Sequence, residues 1–391
     1  MPNYTTEAIR TVALVGHGAT GKTTLAEALL ARAGAIKTPG SVERGNTVCD
    51  YDPLEKIHGH SLNSALLNFA WRDTHVHLID TPGYPDFSGQ AIAALAAVET
   101  ALIVVNAQTG IELATRRMMK WAQARKLCCM IVVNKIDAEN VDLPALLANI
   151  QETFGKECLP INLPAHGGKD IVDCFFTPDG ESDFSSVKAA HAALVDQVVE
   201  VDEALMALYL EQGEINPGQL HAPFETALRE GHLIPVCFVS AKNDVGIGEL
   251  LDILATLAPN PTEGNPPPFL KGEGADAVEF HAEPDPAKHV LAHVFKVVMD
   301  PYVGKLGVFR VHQGTVRRDG QLFIGNSSRP FRVAHLYLLQ GKDYVETDTL
   351  VPGDIGAVSK VDEIEFDAVL HDSHEEDHIH LRPLEFPAPM H

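Results

Sequence analysis

The sequence predicts two structural units: an α/β domain with a mostly parallel sheet covered by helices on both faces, and a smaller antiparallel β-barrel. In the first part of the chain, short apolar runs alternate with helical segments, and strands joined by helical crossovers form parallel sheets. After a proline-rich stretch at 259–268, short runs rich in Val, Ile and Phe are separated by glycine turns. Short strands with such turns are typical of a small antiparallel barrel.

The apolar runs give the order of the predicted strands and the domain boundaries. Those of the α/β domain are residues 12–15, 76–79, 101–105, 130–133 and 235–239, and those of the barrel are residues 290–298, 307–311, 321–324, 331–338 and 355–358. An insertion at about 143–230 interrupts the first domain, and a helix is predicted across 187–210 within it. We expect a first domain at 1–262, a linker at 263–287, the barrel at 288–372 and a tail at 373–391.

The composition is strongly acidic, with a formal net charge of -23 over 391 residues. Such a surface does not bind nucleic acid over a broad face, because phosphate binding needs clustered Lys and Arg, so no DNA partner is expected. The acidity is compatible with local contact to RNA, with docking on a basic protein, or with solubility alone.

The cysteines and the N-terminus indicate a cytosolic protein. The six cysteines form no CxxC pair, which favours reduced thiols over disulfides or zinc sites. The N-terminal segment lacks the basic and apolar regions of a signal peptide. No uninterrupted run of about 18 apolar residues is present, so no membrane span is expected.

A glycine-rich motif lies between the first predicted strand and a helical segment. Residues 16–23 read GHGATGKT, which fits the phosphate-binding pattern GxxxxGK[ST] in full. Lys22 is expected to reach the β and γ phosphates, and the Thr23 hydroxyl to ligate Mg²⁺. The motif alone does not distinguish ATP from GTP. The residues expected to surround the phosphates are Gly16, His17, Gly18, Ala19, Thr20, Gly21, Lys22, Thr23 and Thr24.

A second motif closes the predicted strand at 76–79. It consists of Asp80, Thr81, Pro82 and Gly83, and all four are expected to line the nucleotide site. Asp80 can hold Mg²⁺ through water. The backbone N–H of Gly83 can touch a γ-phosphate and so sense triphosphate against diphosphate. A plain β-turn would explain Thr-Pro-Gly in isolation, so this interpretation depends on its place after the phosphate loop.

Two further motifs indicate that the base is guanine. The sequence NKID at 134–137 follows an apolar strand, and the Asp137 carboxylate can accept hydrogen bonds from both N1–H and the 2-amino group of guanine, a pattern that adenine lacks. The sequence SAK at 240–242 follows another strand, where a backbone N–H can meet guanine O6. The residues expected at the base are Asn134, Lys135, Asp137, Ser240, Ala241 and Lys242. The motifs together predict GTP, GDP and Mg²⁺ as ligands.

These motifs match those of translational GTPases, and the insertion before Ser240 resembles the extra subdomain of elongation factor G. Residues 309–316 and 351–355 are similar to the barrel domain that translation factors share. Residues 384–389 are similar to the segment that opens the third domain of elongation factor G, so we expect this chain to be the front part of a longer protein. The resemblance implies a P-loop GTPase that acts as a cytoplasmic monomer on the ribosome, in contact with ribosomal RNA and ribosomal proteins.

The resemblance also locates a third Mg²⁺ ligand. Ser61 lies nineteen residues before Asp80, as the magnesium-binding threonine of the family does. Serine keeps the hydroxyl, so the role can be retained. The alternative is that Ser61 lies on a mobile loop and that Thr47 is the ligand.

Two positions depart from the family pattern. Tyr84 stands where the family has a histidine directly after Asp-Thr-Pro-Gly, and a phenol is larger than an imidazole and carries no positive charge. Ala19 stands where the family usually has an aspartate. The resemblance assigns phosphoryl transfer to Lys22, Gly83 and Tyr84, with slow hydrolysis expected because of the tyrosine.

Three other interpretations are weighed beside this one. A neighbouring ribosomal GTPase, such as a ribosome protection or recycling factor, would share all of these motifs. A GTP switch that occupies the ribosome with little turnover is favoured by Tyr84 and Ala19. A P-loop ATPase outside translation is disfavoured by the motif at 134–137. The tail at 371–380 is rich in His and acidic residues, and we interpret it as a solvated loop in preference to a metal site.

Overall fold

The computed structural model describes residues 4–212, 215, 217–272, 274, 277–373, 379–382 and 386. These residues form two domains that pack against each other. The strands of the first domain are β1 (Ile9–Gly16), β2 (Ala65–Trp71), β3 (Thr74–Asp80), β4 (Thr100–Asn106), β5 (Cys128–Asn134), β6 (Cys158–Pro160), β7 (Asn162–Ala165), β8 (Asp170–Asp173) and β9 (Ile234–Val239). Its helices are α1 (Lys22–Arg32), α2 (Pro53–His58), α3 (Ser88–Leu95), α4 (Leu113–Ala124), α5 (Leu143–Phe154), α6 (Val187–Val199), α7 (Glu203–Gln212), α8 (Pro217–Glu230) and α9 (Ile247–Thr256).

The first domain is built on a seven-stranded sheet in the order β2-β3-β1-β4-β5-β9-β6. All neighbours pair in parallel except β2, which pairs antiparallel with β3. Strands β1, β4, β5 and β9 are buried along their whole length, which is why each is a continuous apolar run in the sequence. The predicted α/β class is confirmed, and each of the five predicted strands lies within one of these parallel strands.

The insertion differs from the prediction in its helices. The single helix predicted across 187–210 is two helices, α6 and α7. Asp202 separates them, because its carboxylate accepts hydrogen bonds from the backbone N–H groups of Ala204 and Leu205, both at 3.0 Å, and so caps the start of α7. The insertion also adds β6 to the edge of the main sheet and the hairpin of β7 and β8.

The second domain is an antiparallel, curled sheet, which confirms the predicted barrel class. Eight strands lie in the order β16-β15-β21-β12-β13-β20-β17-β18 around an apolar core. Their bounds, with those of the smaller sheets, are β10 (Pro268–Lys271), β11 (Val278–His281), β12 (Leu291–Asp300), β13 (Gly304–Gln313), β14 (Val316–Arg317), β15 (Gln321–Ile324), β16 (Phe331–Arg332), β17 (Leu336–Gln340), β18 (Asp343–Glu346), β19 (Thr349–Leu350), β20 (Ile355–Ser359), β21 (Val369–His371) and β22 (Ile379–Leu381).

The segment at 263–287, expected to be a linker, contains two strands. β10 pairs antiparallel with both β11 and β22, and Phe269 is fully buried in the small core that they enclose. In the tail, His371 belongs to β21, and its ring nitrogens lie 3.0 Å from the backbone oxygen of Ser373 and 2.6 Å from that of Gly325. Residues 374–378 lie outside the described residues, and of the segment 384–389 only residue 386 is described.

Buried polar contacts join the two domains. Arg310 on β13 donates hydrogen bonds to the Glu99 carboxylate and, at 2.9 Å, to the backbone oxygen of Ala97. At the edge strand β2, the Asn68 N–H donates to Oε1 of Gln340 at 2.8 Å. The barrel is therefore held against the edge strand β2 and the segment that leads into β4. None of the helices in the described part of the chain is long and apolar enough to cross a membrane.

Candidate nucleotide-binding site

The phosphate loop connects the end of β1 to the start of α1. Its backbone is left-handed at three positions, with φ of 145° at Gly16, 60° at Ala19 and 89° at Gly21. Gly16 is required by a close approach as well, since a Cβ there would lie 2.4 Å from the backbone oxygen of Val104. The loop leads directly into the start of α1, whose positive end favours an anion.

Lys22, the first residue of α1, is folded back over the loop. Its Nζ donates hydrogen bonds to the backbone oxygens of Gly16 at 3.2 Å and His17 at 2.7 Å. Burial lowers the pKa of Lys22, while the negative charges of Asp80, Asp50 and Glu112 act in the opposite direction. The ammonium group is thus held beside the loop by carbonyl oxygens, which are weaker partners than phosphate oxygens.

Thr23, Ser61 and Asp80 lie together. The Thr23 hydroxyl donates to Oδ2 of Asp80 at 2.7 Å, and its oxygen is 3.2 Å from the Ser61 hydroxyl. Thr47 contacts a different group, accepting a hydrogen bond from the backbone N–H of Asp50 at 3.1 Å. Ser61, and not Thr47, is therefore the hydroxyl that the fold brings to Thr23.

Two carboxylates at this cluster, Asp80 and Asp50, have oxygens without hydrogen-bond partners among the described residues. Oδ1 of Asp80 and both carboxylate oxygens of Asp50 are buried and have no hydrogen-bond partner among the described residues. Burial raises the pKa of Asp80, and the nearby charge of Asp50 acts in the same direction. Buried carboxylates without partners are costly unless a cation neutralises them. Hard oxygen ligands of this kind, with two hydroxyls beside them, fit Mg²⁺.

The segment after Asp80 contacts the phosphate loop near His17 and Lys22. The Thr81 hydroxyl donates to the backbone oxygen of Leu14 at 2.6 Å, so this side chain ties β3 to β1. Pro82 is buried. At Gly83 a Cβ would lie 2.4 Å from Nζ of Lys22, which places its backbone directly beside the lysine.

Tyr84 covers part of the phosphate loop. Its side chain is 39% exposed, and its ring lies against Gly18, where an added Cβ would be 2.9 Å from the ring carbon Cζ. The imidazole of His60 packs against the Tyr84 ring, with ring centroids 4.6 Å apart. His60 precedes Ser61, so this contact joins the segment before β2 to the segment after β3. Sequence reasoning did not find His60, because nothing in the pattern at 58–61 marks it.

The remaining side chains of the phosphate loop make local contacts. The Thr20 hydroxyl donates to the backbone oxygen of His17 at 3.1 Å. Nε2 of His17 lies 3.4 Å from a carboxylate oxygen of Glu112. Thr24 is half-buried on the first turn of α1. The side chains of His17 and Thr20 therefore make contacts within or beside the loop.

Asn134 ties the base-recognition segments to the phosphate loop. Its side-chain amide donates to the backbone oxygen of Thr20 at 3.1 Å, and its Oδ1 accepts from the N–H groups of Lys135 at 2.8 Å and Ala241 at 3.0 Å. Nζ of Lys135 donates to the backbone oxygen of Ala19 at 2.8 Å. The end of β5, the loop after β9 and the phosphate loop are therefore held in one arrangement.

Asp137 is oriented by two side chains. Its Oδ1 accepts from the Ser240 hydroxyl at 2.6 Å and its Oδ2 from the side-chain amide of Asn243 at 2.8 Å. Lys242, between these two, is exposed. Asn243 was not predicted, although its place directly after the motif at 240–242 was a signal for it. Each carboxylate oxygen keeps a second lone pair for a ligand.

All these segments meet at the carboxyl end of the parallel strands β1, β3, β5 and β9, where ligands of doubly wound sheets bind. The sequence of residues 7–260 matches the family model of the elongation factor Tu GTP binding domain. Residues 289–371 match the family model of elongation factor G domain 2. The chain therefore belongs to the family of the elongation factor Tu GTP-binding domain.

Within this family, the chain is similar to elongation factor G and to elongation factor G-like proteins. The chain is 32% identical over 412 aligned residues to an elongation factor G-like protein of Mycobacterium tuberculosis, covering 98% of this chain and 57% of that protein. It is 27% identical over 401 residues to elongation factor G of Thermotoga maritima, with the same coverage. A crystal structure of a Thermus thermophilus protein matches with a TM-score of 0.81 and 32% identity, covering 95% of this chain and 55% of that one. The chain thus spans a little over half the length of these relatives.

Proposed function

We propose that this chain is the GTP-binding and GTP-hydrolysing part of an elongation factor G-like translation factor. One observation carries the proposal: Asn134 bonds at once to the phosphate loop and to the loop after β9, while Asp137 is held by Ser240 and Asn243. These contacts join the phosphate loop to the segments proposed to bind guanine, and this arrangement fits a guanine nucleotide. The family of the first domain supports the same conclusion.

The guanine would be selected by Asp137. Its two oxygens are fixed by the Ser240 hydroxyl and the Asn243 amide, so their remaining lone pairs point in defined directions. N1–H and the 2-amino group of guanine present a matching pair of donors, and adenine does not. The N–H of Ala241 already donates to Asn134, so guanine O6 would share it or take another N–H from 240–242.

The phosphates would be held by the N–H groups of the loop and by Lys22. When GTP enters, Nζ of Lys22 can exchange the backbone oxygens of Gly16 and His17 for phosphate oxygens. Thr23, Ser61 and Asp80 would hold Mg²⁺, which when bound neutralises charge on the phosphate oxygens. The N–H of Gly83 is the group proposed to detect the γ-phosphate.

In the proposed reaction, a water molecule attacks the γ-phosphorus, and the bond from that phosphorus to the bridging oxygen of GDP breaks. The protein contributes positioning and charge neutralisation, chiefly through Lys22 and the loop N–H groups. We assign the ordering of this water to Tyr84, because its ring lies against Gly18 of the phosphate loop. We propose that hydrolysis is slow, because the tyrosine replaces a residue that can donate as a cation.

The proposed partner is the ribosome, through ribosomal RNA and ribosomal proteins, in translocation or a related step. We further propose that the protein works in the cytoplasm as a monomer, without binding DNA or membranes. The support is its similarity to elongation factor G and to elongation factor G-like proteins.

The test is single-turnover phosphate release from GTP, with and without ribosomes, using the complete protein that contains this chain. We expect nucleotide binding with preference for GTP over ATP, and hydrolysis that rises when ribosomes are added. Binding of ATP as tight as that of GTP would contradict the guanine assignment. GTP binding with hydrolysis that does not rise when ribosomes are added would contradict the proposed hydrolytic role and favour a GTP switch. If the protein with GTP also failed to co-sediment with ribosomes, the ribosomal role would be overturned.

A further inference from the structure

A second cluster of polar side chains lies away from the nucleotide site, at the interface between the two domains. His75 and His77 are on β3 of the first domain, and Asp354 lies just before β20 of the barrel. Because residues two apart on a strand share a face, both imidazoles point the same way, toward the barrel. The three side chains are 8%, 3% and 6% exposed, and one nitrogen or oxygen from each lies within 4.8 Å of the others.

The hydrogen bonds of this cluster are incomplete. Nε2 of His77 lies 3.0 Å from Oδ1 of Asp354, and the backbone N–H of Ile355 also points at it from 3.5 Å. One ring nitrogen cannot donate to the carboxylate and accept from the N–H at the same time. His75 has no side-chain hydrogen bond to any described residue, although it is buried against the ring of Tyr4 at 4.8 Å. The lone pair of the His75 imidazole is therefore available to a ligand.

The two imidazoles lie close to each other as well as to the carboxylate. The ring centroids of His75 and His77 are 4.7 Å apart. An imidazole nitrogen that carries a lone pair is a common metal ligand. Asp354 is held in place because its Oδ2 accepts the N–H of Val351 at 2.8 Å. Asp354 adds one negative charge to the cluster.

We propose that His75, His77 and Asp354 form a binding site for a divalent first-row transition metal, with Zn²⁺ as the expected ion and water in the fourth position. Two imidazoles and one carboxylate are a common donor set for such ions, and tetrahedral Zn²⁺ places its ligands about 2.0–2.2 Å away. The ligand atoms would close in around the ion from their present spacing. Since two ligands come from the first domain and one from the barrel, the bound metal would tie the two domains together.

The site is tested with Co²⁺, whose visible absorption reports tetrahedral coordination and which Zn²⁺ should displace. The protein is kept with GDP and excess Mg²⁺, so that the nucleotide site is filled. We expect one equivalent of Co²⁺ to bind. His75→Asn and Asp354→Asn should each weaken binding by more than the roughly 10–100-fold that loss of an outer partner of a metal ligand costs.

The matched control is His293→Asn. His293 is also buried and also faces a carboxylate, with Nε2 2.8 Å from Oδ1 of Asp367, but it belongs to no group of three candidate ligands among the described residues. This variant should bind Co²⁺ like the wild type. Equal binding by the wild type and His75→Asn, or no stoichiometric binding by the wild type, would overturn the proposal.

A second measurement needs no variant, in case the substitutions prevent folding. X-ray absorption at the zinc edge of the loaded wild-type protein should show about two imidazoles with oxygen ligands and no sulfur. A spectrum dominated by sulfur, or one with only oxygen ligands, would place the zinc elsewhere and would exclude this site. Zinc should also raise the unfolding temperature, because the ion binds only the folded, joined domains.

Discussion

The two ends of the nucleotide site differ in how complete they are without a ligand. At the base end, both oxygens of Asp137 and the amide of Asn134 have hydrogen-bond partners within the protein. At the phosphate end, Oδ1 of Asp80 and both oxygens of Asp50 are buried without partners among the described residues, and Lys22 is bound only to backbone oxygens. In the proposed site the base end is therefore organised in advance, whereas the phosphate end would be completed by the ligand and its cation.

The difference implies that substitutions at the two ends act in different ways. At the phosphate end they should change how tightly GTP and GDP bind and how fast GTP is hydrolysed, because the charges there are balanced only in the complex. At the base end, replacing the Asp137 carboxylate should change which base is accepted, whereas replacing a residue that only orients this carboxylate should weaken binding and keep the preference.

The largest effect is expected from Lys22→Ala. Lys22 would make about two hydrogen bonds to phosphates, each contributing about 1.5–3 kcal/mol because the groups are charged. Nucleotide affinity should fall roughly 10²–10⁴-fold. Equilibrium binding of a fluorescent GDP analogue measures it.

Thr23→Ala provides the comparison, since this side chain acts through the metal. Its defect should shrink as the Mg²⁺ concentration is raised, whereas the Lys22→Ala defect should persist. Identical responses of the two variants to a magnesium titration would contradict the assignment of Thr23 as a ligand.

The next prediction concerns Tyr84→His. A histidine can carry the positive charge that a phenol lacks, so ribosome-stimulated hydrolysis should become faster by about 10²-fold, the lower end of the usual effect of a positioned acid or base. GTP affinity should change little. Tyr84→Phe is the matched control, because it keeps the ring against Gly18 and removes only the hydroxyl, and it should not speed hydrolysis. A wild type that is already fast, and that both substitutions slow, would make Tyr84 itself the working residue.

The sequence predicted the buried parts of the first domain well, for a physical reason. Strands covered on both faces contain continuous apolar runs, so β1, β4, β5 and β9 could be predicted directly. β3 was predicted from the run at 76–79, although His77 interrupts it. β2 was missed because it lies at the sheet edge, where its burial is interrupted, and is joined to β3 by the two-residue turn Arg72–Asp73. The break between α6 and α7 depends on one capping aspartate inside a long apolar pattern.

The site could be predicted where backbone geometry requires particular residues, and less well where contacts come from distant segments. The glycine and lysine positions of the phosphate loop are marked by their spacing. The contact of His60 with Tyr84 depends on how the segment before β2 folds over the loop, which no local pattern shows. The motif predicted that Thr81 lines the nucleotide site, and in the structure its hydroxyl donates to the backbone oxygen of Leu14.

A smaller effect is expected for Asp137→Asn. The new amide would lose one charge-assisted hydrogen bond to guanine, so GTP affinity should fall roughly 10–10²-fold, at about 1.5–3 kcal/mol per bond. Xanthosine triphosphate has a carbonyl at C2 that can accept from this amide, so its affinity should rise. Competition between the two nucleotides measures the switch. A variant that keeps the full preference for GTP would remove Asp137 from base recognition.

The smallest effect is expected for Asn243→Ala, which tests whether the base end is organised in advance. Asn243 does not need to touch guanine; its amide holds Oδ2 of Asp137 at 2.8 Å. Its loss should cost about 0.5–1.5 kcal/mol, so GTP and GDP should both bind up to roughly tenfold more weakly, with the preference over xanthosine nucleotides kept. Asp244→Asn is the control: the neighbouring side chain pairs with Arg32 at the surface, 2.9 Å away, and asparagine tolerates its left-handed backbone. That variant should bind nucleotide like the wild type. If Asn243→Ala also binds like the wild type, the orientation of Asp137 comes from Ser240 alone, and if it loses guanine preference, Asn243 contacts the base directly.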